Sequence, residues 1–463
     1  MDSCPDEVLL KIFNRLNFKS VANIRLVSKR LAAVGAEALV KRVRFHCSQE
    51  SLERLNTIAN HDIFSKYVDT IVFEGNILAN VGCVHTYSAH YELEHHKYER
   101  PQPPEKNATA REKRLYERNL IKFNHDITLK YDRYRTFYDQ QQKVLKSTAY
   151  DELISSSIPC FPKLSKVVLS TVGRCKHVLS QRFLEMFAVD CAMPIEHDTK
   201  YTKEQLKHLL FPQGRPLTAL HSLEVHVVSP KFFAGFMPGD LICQAFQNLK
   251  VIDLNFRLEK DDRHGLDALT ADRCYGDLSK GHLQDALAAA KDLEELTINF
   301  DDFGFYGACT NMQQILGDHA WPNLTTLDLD CMSTSESYLL DMLTRQPALE
   351  KLRLGFITLE GGRWPTTTMH MRKNLTLIEF SAHGLLEDSE QMYPMHLIDA
   401  EAYILDYAHF SLAAALDLYV TDGYDEEDEY HPLEDSEFAD PEELREEYGP
   451  FEDTDYSEMD CSD

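Results

Sequence analysis

The chain of 463 residues lacks the cysteine patterns of disulfide-rich and zinc-binding proteins. Its 11 cysteines include no Cys-x-x-Cys pair, and their number is odd. It has no run of about 18 apolar residues, as a membrane-spanning helix would need. The first residues, Met-Asp-Ser-Cys-Pro, lack the charged-then-apolar pattern of a secretion leader. We therefore expect reduced thiols, no membrane partner and a protein of the cytoplasm or the nucleus.

Basic residues are scarce in this chain. Lys and Arg number 48 against 75 Asp and Glu, which gives a net charge of −27. An acidic surface repels a phosphate backbone, so we expect no nucleic-acid partner. The charge is uneven, because residues 421–463 contain 20 acidic residues and one basic residue, Arg445. That segment carries −19 and leaves only −8 for the remaining chain.

The motifs of common enzymes are also missing. The sequence contains none of the patterns Gly-x-Gly-x-x-Gly, Gly-x-x-x-x-Gly-Lys-Ser/Thr, His-Glu-x-x-His or Gly-x-Ser-x-Gly. Cys175 and His177 place a thiol near an imidazole, but residues two apart share a face on any strand. Four histidines are clustered, at His85, His90, His95 and His96. None of them has the i, i+4 spacing of a zinc site on a helix. We expect these histidines on a solvated, mobile segment, and we expect no catalytic residue, cofactor or metal.

The first 40 residues predict three short helices. In the first, Ser3 can cap the N-terminus and Pro5 fits the first helical position. Its apolar residues are Val8, Leu9, Leu10, Ile12, Phe13 and Leu16. They cover roughly 200° of the helix surface, about twice the stripe of an ordinary surface helix, so we expect this helix to bury a second face against a partner. A second helix is predicted from Ser20 and a third from about Lys29 to Val40.

This segment resembles the F-box family. The family pattern is matched in order by Pro5, Glu7, Val8, Leu9, Ile12, Phe13, Leu16, Val21, Ile24 and the run Val27-Ser28-Lys29-Arg30. Cys4 stands where Leu is usual and Leu31 where Trp is common, so we expect weaker packing there. The resemblance implies docking on a Skp-type adaptor, which links to cullin and RING subunits. The residues it implies for adaptor binding are Pro5, Val8, Leu9, Ile12, Phe13, Leu16, Val21, Ile24, Val27 and Leu31. The alternative is an unrelated three-helix cap on the following domain.

A spaced apolar pattern recurs along the rest of the chain. Each copy has the form Φ-x-x-Φ-x-Φ, where Φ is aliphatic or aromatic. The nine copies begin at Val40, Val68, Leu164, Leu220, Leu249, Leu293, Leu324, Leu349 and Leu375, the last being Leu375/Ile378/Phe380. Five of the eight steps between copies are 25 to 31 residues long. The step of 56 residues from Leu164 to Leu220 is twice 28, so we expect one degenerate copy near residue 192.

This spacing resembles leucine-rich repeats of the long, helix-containing kind. The resemblance implies an α/β solenoid of short parallel strands with outer helices. Since side chains alternate along a strand, the residue between the last two Φ positions faces outward, onto a concave binding face. The candidate substrate-binding residues are Val168, Glu224, Asp253, Thr297, Asp328, Arg353 and Glu379. Four are acidic and one is basic, which favours a substrate with a basic patch. An apolar outward residue, Val168, suggests a strand covered on both faces. An irregular α/β domain is the alternative.

The domain plan follows from these segments. We predict an F-box domain at 1–42 and a leucine-rich-repeat solenoid at 43–395, with a helical insertion at about 76–158. Residues 396–421 predict a helix that caps the open end of the solenoid. Residues 422–463 predict an acidic disordered tail, which either keeps the protein soluble or docks a basic protein.

The insertion has its own pattern. Residues 111–145 predict an amphipathic helix lying on the solenoid, followed by a short helix at about 150–156. The apolar stripe of the long helix comprises Leu120, Phe123, Ile127, Tyr131, Tyr134 and Tyr138. We interpret this stripe as core packing, with an aromatic surface for a partner as the alternative.

The sequence thus favours a non-catalytic function. We predict the substrate-recognition subunit of a Skp-cullin-F-box ubiquitin ligase, in which the F-box holds the adaptor and the repeats bind an unknown protein substrate. Its contribution to catalysis would be proximity. The alternative is an interaction scaffold that uses the F-box only for complex assembly.

Overall fold

The structure is a computed structural model of the chain. It describes residues 4–94, 100–104, 108–170, 195–196, 200–257, 278, 282–300, 310–390, 392–395, 416 and 420–421. The pair Cys175 and His177, the predicted tail at 422–463 and most of the predicted capping helix at 396–421 lie outside these residues. Of that helix, residues 416, 420 and 421 are helical, and Leu416 and Val420 join the main hydrophobic cluster.

Three helices open the chain, namely α1 (Asp6–Phe13), α2 (Phe18–Ile24) and α3 (Lys29–Val40). Asn17 and Ser28 cap α2 and α3, each by accepting a backbone N–H on its side-chain oxygen. Pro5 occupies the N-cap position of α1 without a side-chain cap, and the predicted cap, Ser3, lies outside the described residues. Leu16 lies in the turn beyond α1. The three predicted helices are confirmed, although α2 begins at Phe18 rather than at Ser20, and their small core consists of Leu9, Phe13, Val21, Leu31 and Val34.

Within the described ranges, one sheet of eleven strands forms the body of the protein. Its strands are β1 (Arg42–His46), β2 (Thr70–Glu74), β4 (Lys166–Ser170), β6 (Ser222–Val228), β7 (Val251–Phe256), β8 (Glu295–Phe300), β9 (Thr310–Asn311), β10 (Thr326–Ser335), β11 (Lys351–Gly361), β12 (Glu379–Glu387) and β13 (Met392–Met395). The order is β1-β2-β4-β6-β7-β8-β10-β11-β12-β13, with β9 on β10. All of these pairs are parallel except β12 with β13. The expected mixed α/β chain with parallel strands is therefore confirmed.

The helices of the body cover one face of this sheet. They are α4 (Gln49–Ala59), α7 (Thr148–Ser157), α8 (Lys200–Leu210), α9 (Gly239–Phe246), α10 (His282–Ala289), α11 (Met312–Leu316), α12 (Glu336–Thr344) and α13 (Trp364–Asn374), with 3-10 helices at Phe64–Tyr67, Ile158–Cys160, Pro212–Gly214 and Pro230–Phe232. The buried strand residues that lie opposite one another in register are Val43, Ile71, Val167, Leu223, Ile252, Leu296, Leu327, Leu352 and Phe380. They share one hydrophobic cluster with the helices, so the apolar positions of the sequence pattern build the main core.

The predicted degenerate copy near residue 192 is wrong. Strands β4 and β6 are direct neighbours, with Val167 opposite Leu223, so no strand lies between them. The chain at Ile195–Glu196 forms β5 instead, which pairs antiparallel with β3 (Ile77–Leu78) in a separate two-stranded sheet. The described residues Ile195–Glu196 of the long step therefore lie outside the main sheet.

The last copy of the pattern is shifted by two residues from the predicted Leu375/Ile378/Phe380. Ile378 is 70% exposed, whereas Leu377 is buried. Phe380 lies opposite Leu352, and the next buried residue of β12 is Ala382. The sequence Asn-Leu before Ile378 imitates the start of other copies, but the ladder hydrogen bonds decide the register.

The insertion contains the predicted long and short helices, α6 (Ala110–Leu145) and α7. The buried residues Ile127 and Tyr134 of α6 pack on β3 and on the helix α5 (Val84–Glu94), in a cluster of their own. The stripe therefore packs within the insertion rather than on the main core. No helix in the described ranges is both long and apolar enough to cross a membrane.

The predicted mobile, solvated segment of histidines is only partly described. His85 and His90 belong to α5, whereas His95 and His96 lie outside the described residues. The expectation of a mobile segment is wrong for α5, because Tyr87 is fully buried there against α6.

Three neighbouring strands turn at equivalent positions. Cys331 of β10, Phe356 of β11 and Gly384 of β12 all have positive φ, of 58°, 47° and 67°. They follow the register partners Asp330, Gly355 and His383. Because Gly355 has no side chain, the His383 ring reaches across β11, and its Nε2 lies 3.4 Å from a carboxylate oxygen of Asp330.

We predict that Gly355→Ala lowers the free energy of unfolding by about 1–3 kcal/mol, because a β-carbon there would lie 2.2 Å from the His383 ring and 2.6 Å from Asp330. The matched control is Gly361→Ala in the same strand, where a β-carbon meets no atom within 4 Å. Urea unfolding of both variants is the measurement. Equal midpoints for the two variants would contradict the contact across β11.

Candidate functional site

The apolar residues of α1 divide between two surfaces. Leu9 and Phe13 are 2% exposed and belong to the core of the three helices. Val8 and Ile12 are 44% and 46% exposed, and Leu16, four residues further on, is 38% exposed. One side of α1 thus holds the small domain together, while the other presents an uncovered apolar stripe to solvent.

The remaining predicted adaptor-binding residues divide in the same way. Pro5 and Val27 are exposed, Ile24 is half-buried, and Val21 and Leu31 are buried. Buried side chains position the helices and cannot contact a partner directly. Leu26 is the most exposed apolar side chain among the described residues of the three helices and their turns, and it was not predicted to bind the adaptor. Its signal in the sequence is an apolar residue directly before Val27, in the turn between α2 and α3.

Arg25 joins the three helices to the body. Its Nε donates a hydrogen bond to the carbonyl oxygen of Ala32 at 2.9 Å, and its guanidinium lies 4.6 Å from the ring centroid of Phe64. The stem of Arg25 passes over Gly35, where a β-carbon would lie 2.5 Å from its Cγ. A single residue, Lys41, separates α3 from β1. The small domain is therefore attached to the sheet by packing as well as by the chain.

The candidate substrate-binding residues lie on the face of the sheet opposite the helices, which we call the open face. Five of them are opposite one another on adjacent strands, in the order Glu224, Asp253, Thr297, Asp328 and Arg353. Their alternation with buried residues explains this placement.

Two of the candidates differ from this row. Val168 lies in this row on β4 but is only 1% exposed, and Val72, opposite it on β2, is 3% exposed. This end of the open face is therefore covered, as the apolar side chain of Val168 suggested. Glu379 lies in the adjacent row, opposite Lys351, because the last copy of the pattern is shifted. The exposed part of the open face runs from β6 to β12.

The charges on the open face largely compensate one another. Lys166 pairs with Glu224, Arg353 lies 3.7 Å from Asp328, and Lys351 lies 3.1 Å from Glu379. Sequence reasoning missed two of these cations, Lys166 and Lys351. They make the open face less acidic than the candidate residues alone had indicated.

The central strands of the open face keep an acidic character. Asp253 lies on β7, and Glu295, which the sequence did not single out, lies on β8 in the same row as Lys351. The expected preference for a basic patch therefore applies to the centre of the face rather than to its whole length.

A third row of the open face is polar and buried. It contains His46, Glu74, Ser170, Asn299 and Asp330, each at most 9% exposed. Asn299 donates a hydrogen bond to Asp330 at 2.7 Å across β8 and β10. Sequence reasoning missed this row, although its signal is a polar residue directly after every Φ-x-Φ except the one that Gly355 follows. Paired polar groups of this kind fix the register of a sheet.

The buried thiol of Cys47 is not a nucleophile. Burial raises its pKa to about 12, so it is protonated at neutral pH. Its sulfur accepts a hydrogen bond from Gln205 and contacts the hydroxyl of Tyr150. Within the described residues no group of three His, Cys, Asp or Glu side chains could hold a metal ion.

Comparison with known proteins bears on the three helices. Residues 1–34, which span α1, α2 and the start of α3, match the F-box domain family. No curated protein matches the chain. The matched residues coincide with the small core and with the exposed stripe of Val8, Ile12 and Leu16. The chain therefore contains an F-box domain at residues 1–34.

Proposed function

We propose that this chain is the substrate-recognition subunit of a Skp-cullin-F-box ubiquitin ligase. The observation that carries the proposal is the exposed apolar stripe on the F-box domain, combined with the firm attachment of that domain to a large sheet. The F-box domain provides the adaptor contact, and the open face of the sheet provides the substrate contact. The chain itself performs no chemistry in this proposal and acts by holding a substrate near the transferring enzyme.

The adaptor contact consists of the exposed apolar side chains. Val8, Ile12 and Leu16 lie at successive i, i+4 positions, and Leu26 and Val27 are 85% and 73% exposed. Fully burying one such side chain contributes about 1.5–3 kcal/mol, so this set is sufficient for a stable interface. A core of five buried residues in some 30 residues is marginal by itself, which gives docking a second benefit.

The substrate contact is proposed for the exposed rows of β6 to β12. We infer that the repeated unit is a divergent leucine-rich repeat, because each apolar pattern supplies one parallel strand in a common register and helices return on one side. The F-box domain would then end near residue 42 and the repeats near residue 395. The candidates Glu224, Asp253, Thr297, Asp328, Arg353 and Glu379 line this surface, with Val168 in a supporting position.

We predict that Val8→Asp and Ile12→Asp together weaken binding of a Skp-type adaptor by at least about 100-fold, since each places a carboxylate in an apolar interface. Both residues are exposed, so the free protein keeps its fold. The measurement is titration calorimetry with the separately purified adaptor. The matched control is Lys11→Asp, which puts the same group on the exposed polar side of α1. Undiminished binding by the double variant would refute the adaptor contact.

A buried position gives a different result. Leu9→Asp places the carboxylate in the core of the F-box domain, so we predict loss of α1 and of binding together. Circular dichroism and hydrogen exchange separate this outcome from the loss of contact in the double variant Val8→Asp with Ile12→Asp. A folded Leu9→Asp protein would contradict the division of α1 into two surfaces.

We predict that Asp253→Arg with Thr297→Arg removes most proteins captured by the intact adaptor-bound chain, because both changes lie at the centre of the open face. The matched control is Asp341→Arg with Thr344→Arg on the exposed side of α12. Quantitative mass spectrometry of captured proteins compares the two. Adaptor recovery serves as the internal standard and stays constant. Equal capture by both variants would place substrate binding elsewhere.

The alternative is a scaffold whose F-box domain serves assembly without degradation. A cullin pull-down, with a comparison of protein abundance after deletion of the chain, distinguishes the two functions. The ligase proposal predicts that a captured protein accumulates on deletion. Cullin binding without any accumulating partner would favour the scaffold.

A further inference from the structure

The helix α6 extends well beyond the residues that anchor it. Its 36 residues span about 54 Å, yet its buried side chains are Ile127, Tyr134, Gln141 and Val144, so none lies among its first 17 residues. Between Ala110 and His125 no side chain is buried. This half of α6 therefore exposes a helical face that the described residues do not cover.

That face carries a stripe of cations. Arg111, Arg114, Arg118 and Lys122 follow one another at spacings of three, four and four, so they lie on one side of the helix. All four are exposed, and none forms an ion pair with the described residues. We call these four residues the basic stripe. Exposed apolar side chains flank it, with Leu115 at 47% and Ile121 at 70%.

The acidic residues of this half are Glu112 and Glu117, and neither forms an ion pair with the described residues. Glu112 forms a capping box with Thr109, with its carboxylate 2.7 Å from the Thr109 backbone nitrogen. Neighbouring like charges at i, i+4 cost about 0.2–0.5 kcal/mol per pair, and cations near a helix N-terminus oppose the helix dipole. The arrangement is thus unfavourable for the isolated helix and becomes favourable when an anionic partner covers it.

We propose that the basic stripe of α6 binds the acidic segment 422–463 of the same chain. That segment carries 20 acidic residues and one basic residue, which complements the four exposed cations in a protein of net charge −27. Its aromatic residues are Tyr424, Tyr430, Phe438, Tyr448, Phe451 and Tyr456. Aromatic rings pack on guanidinium groups and on aliphatic side chains, so they also fit the flanking Leu115 and Ile121.

The distance is within reach of the chain. A segment of 42 residues spans at most about 140 Å when extended. The ten strands along the main path of the sheet cover only about 45 Å. Attachment in one chain also raises the effective concentration of the segment at the stripe to the order of 1 mM, which favours it over acidic segments of other proteins.

Zero-length carbodiimide cross-linking tests the contact in the full chain bound to its adaptor. The reagent joins a lysine amine to a carboxylate, so Lys122 reports directly on the segment. We expect cross-links from Lys122 to residues 422–463 at about 50 mM salt, and their loss at about 1 M salt, where the screening length falls to about 3 Å. Mixing protein of natural and heavy isotope composition separates links within one chain from links between chains.

A charge reversal makes the test specific. Arg111→Glu, Arg114→Glu and Arg118→Glu together leave Lys122 in place, and we expect them to lower its cross-links to the segment roughly tenfold. Acidic residues in the first turns of a helix stabilise it, so the loss would not reflect melting of α6. The matched control reverses three exposed cations elsewhere, Lys146, Arg215 and Lys291, and should leave the cross-links unchanged.

A second reversal, in the segment itself, should restore the contact. When acidic residues of the segment are replaced by lysine in the stripe-reversed protein, the signs of the two surfaces are exchanged and attraction returns. The carboxylate that Arg118→Glu introduces on the stripe can then be joined by carbodiimide to the new amines of the segment. We expect these cross-links at low salt and their loss at high salt.

Three results would overturn the proposal. One is the absence of cross-links between Lys122 and the acidic segment at low salt. Another is an equal effect of the stripe reversal and the control reversal. The third is cross-links only between chains, which would identify the stripe as a contact between copies.

Discussion

The parallel ladder with its two-residue alternation is the constraint on which the rest of this structure depends. It turns one set of side chains, from Val43 to Phe380, toward the helices, and the set between them toward the open face. A slip of one residue would exchange the two sets and expose the core. The buried polar contact between Asn299 and Asp330 and the approach of His383 over Gly355 add fixed points to this register.

The same ladder fixes the position of the F-box domain. Helix α3 leads into β1 after one residue, and Asp69 and Thr70, at the start of β2, donate backbone N–H hydrogen bonds to the carbonyl oxygen of Lys41. Arg25 then packs its charge on Phe64 and its stem on Gly35. The small core of the F-box domain, which has marginal stability by itself, is thereby stabilised by the large core of the sheet. Under the proposed function, this attachment determines where a bound substrate lies relative to the adaptor.

The sequence predicted elements whose signals are local. Helix α3 begins at the predicted Lys29 because Ser28 caps it, and α6 ends at the predicted Leu145, directly after the buried Val144. The division of α1 followed from an apolar arc too wide for one surface. These features depend on residues within a few turns of one another, which a pattern can record.

What the sequence could not predict depends on distant residues. Hydrogen bonds to β11 decide the register of Glu379. The pairing of β4 with β6 joins two strands that are some fifty residues apart in the sequence. The cations that balance the open face, Lys166 and Lys351, lie outside the row that the pattern singled out. The packing of α6 on α5 required knowing that Tyr87 is buried, whereas the nearby histidines suggested a solvated segment.

Hydrogen–deuterium exchange of the full chain, with and without a Skp-type adaptor, shows whether the exposed stripe of the F-box domain is the adaptor contact. We predict that the adaptor slows exchange in the helices between residues 5 and 31, where the exposed stripe would become buried and the small core would gain stability. Exchange in strands β6 to β12 should stay unchanged, which leaves the open face available. Unchanged exchange between residues 5 and 31, with protection on the sheet instead, would show that the adaptor binds the sheet and not the F-box domain.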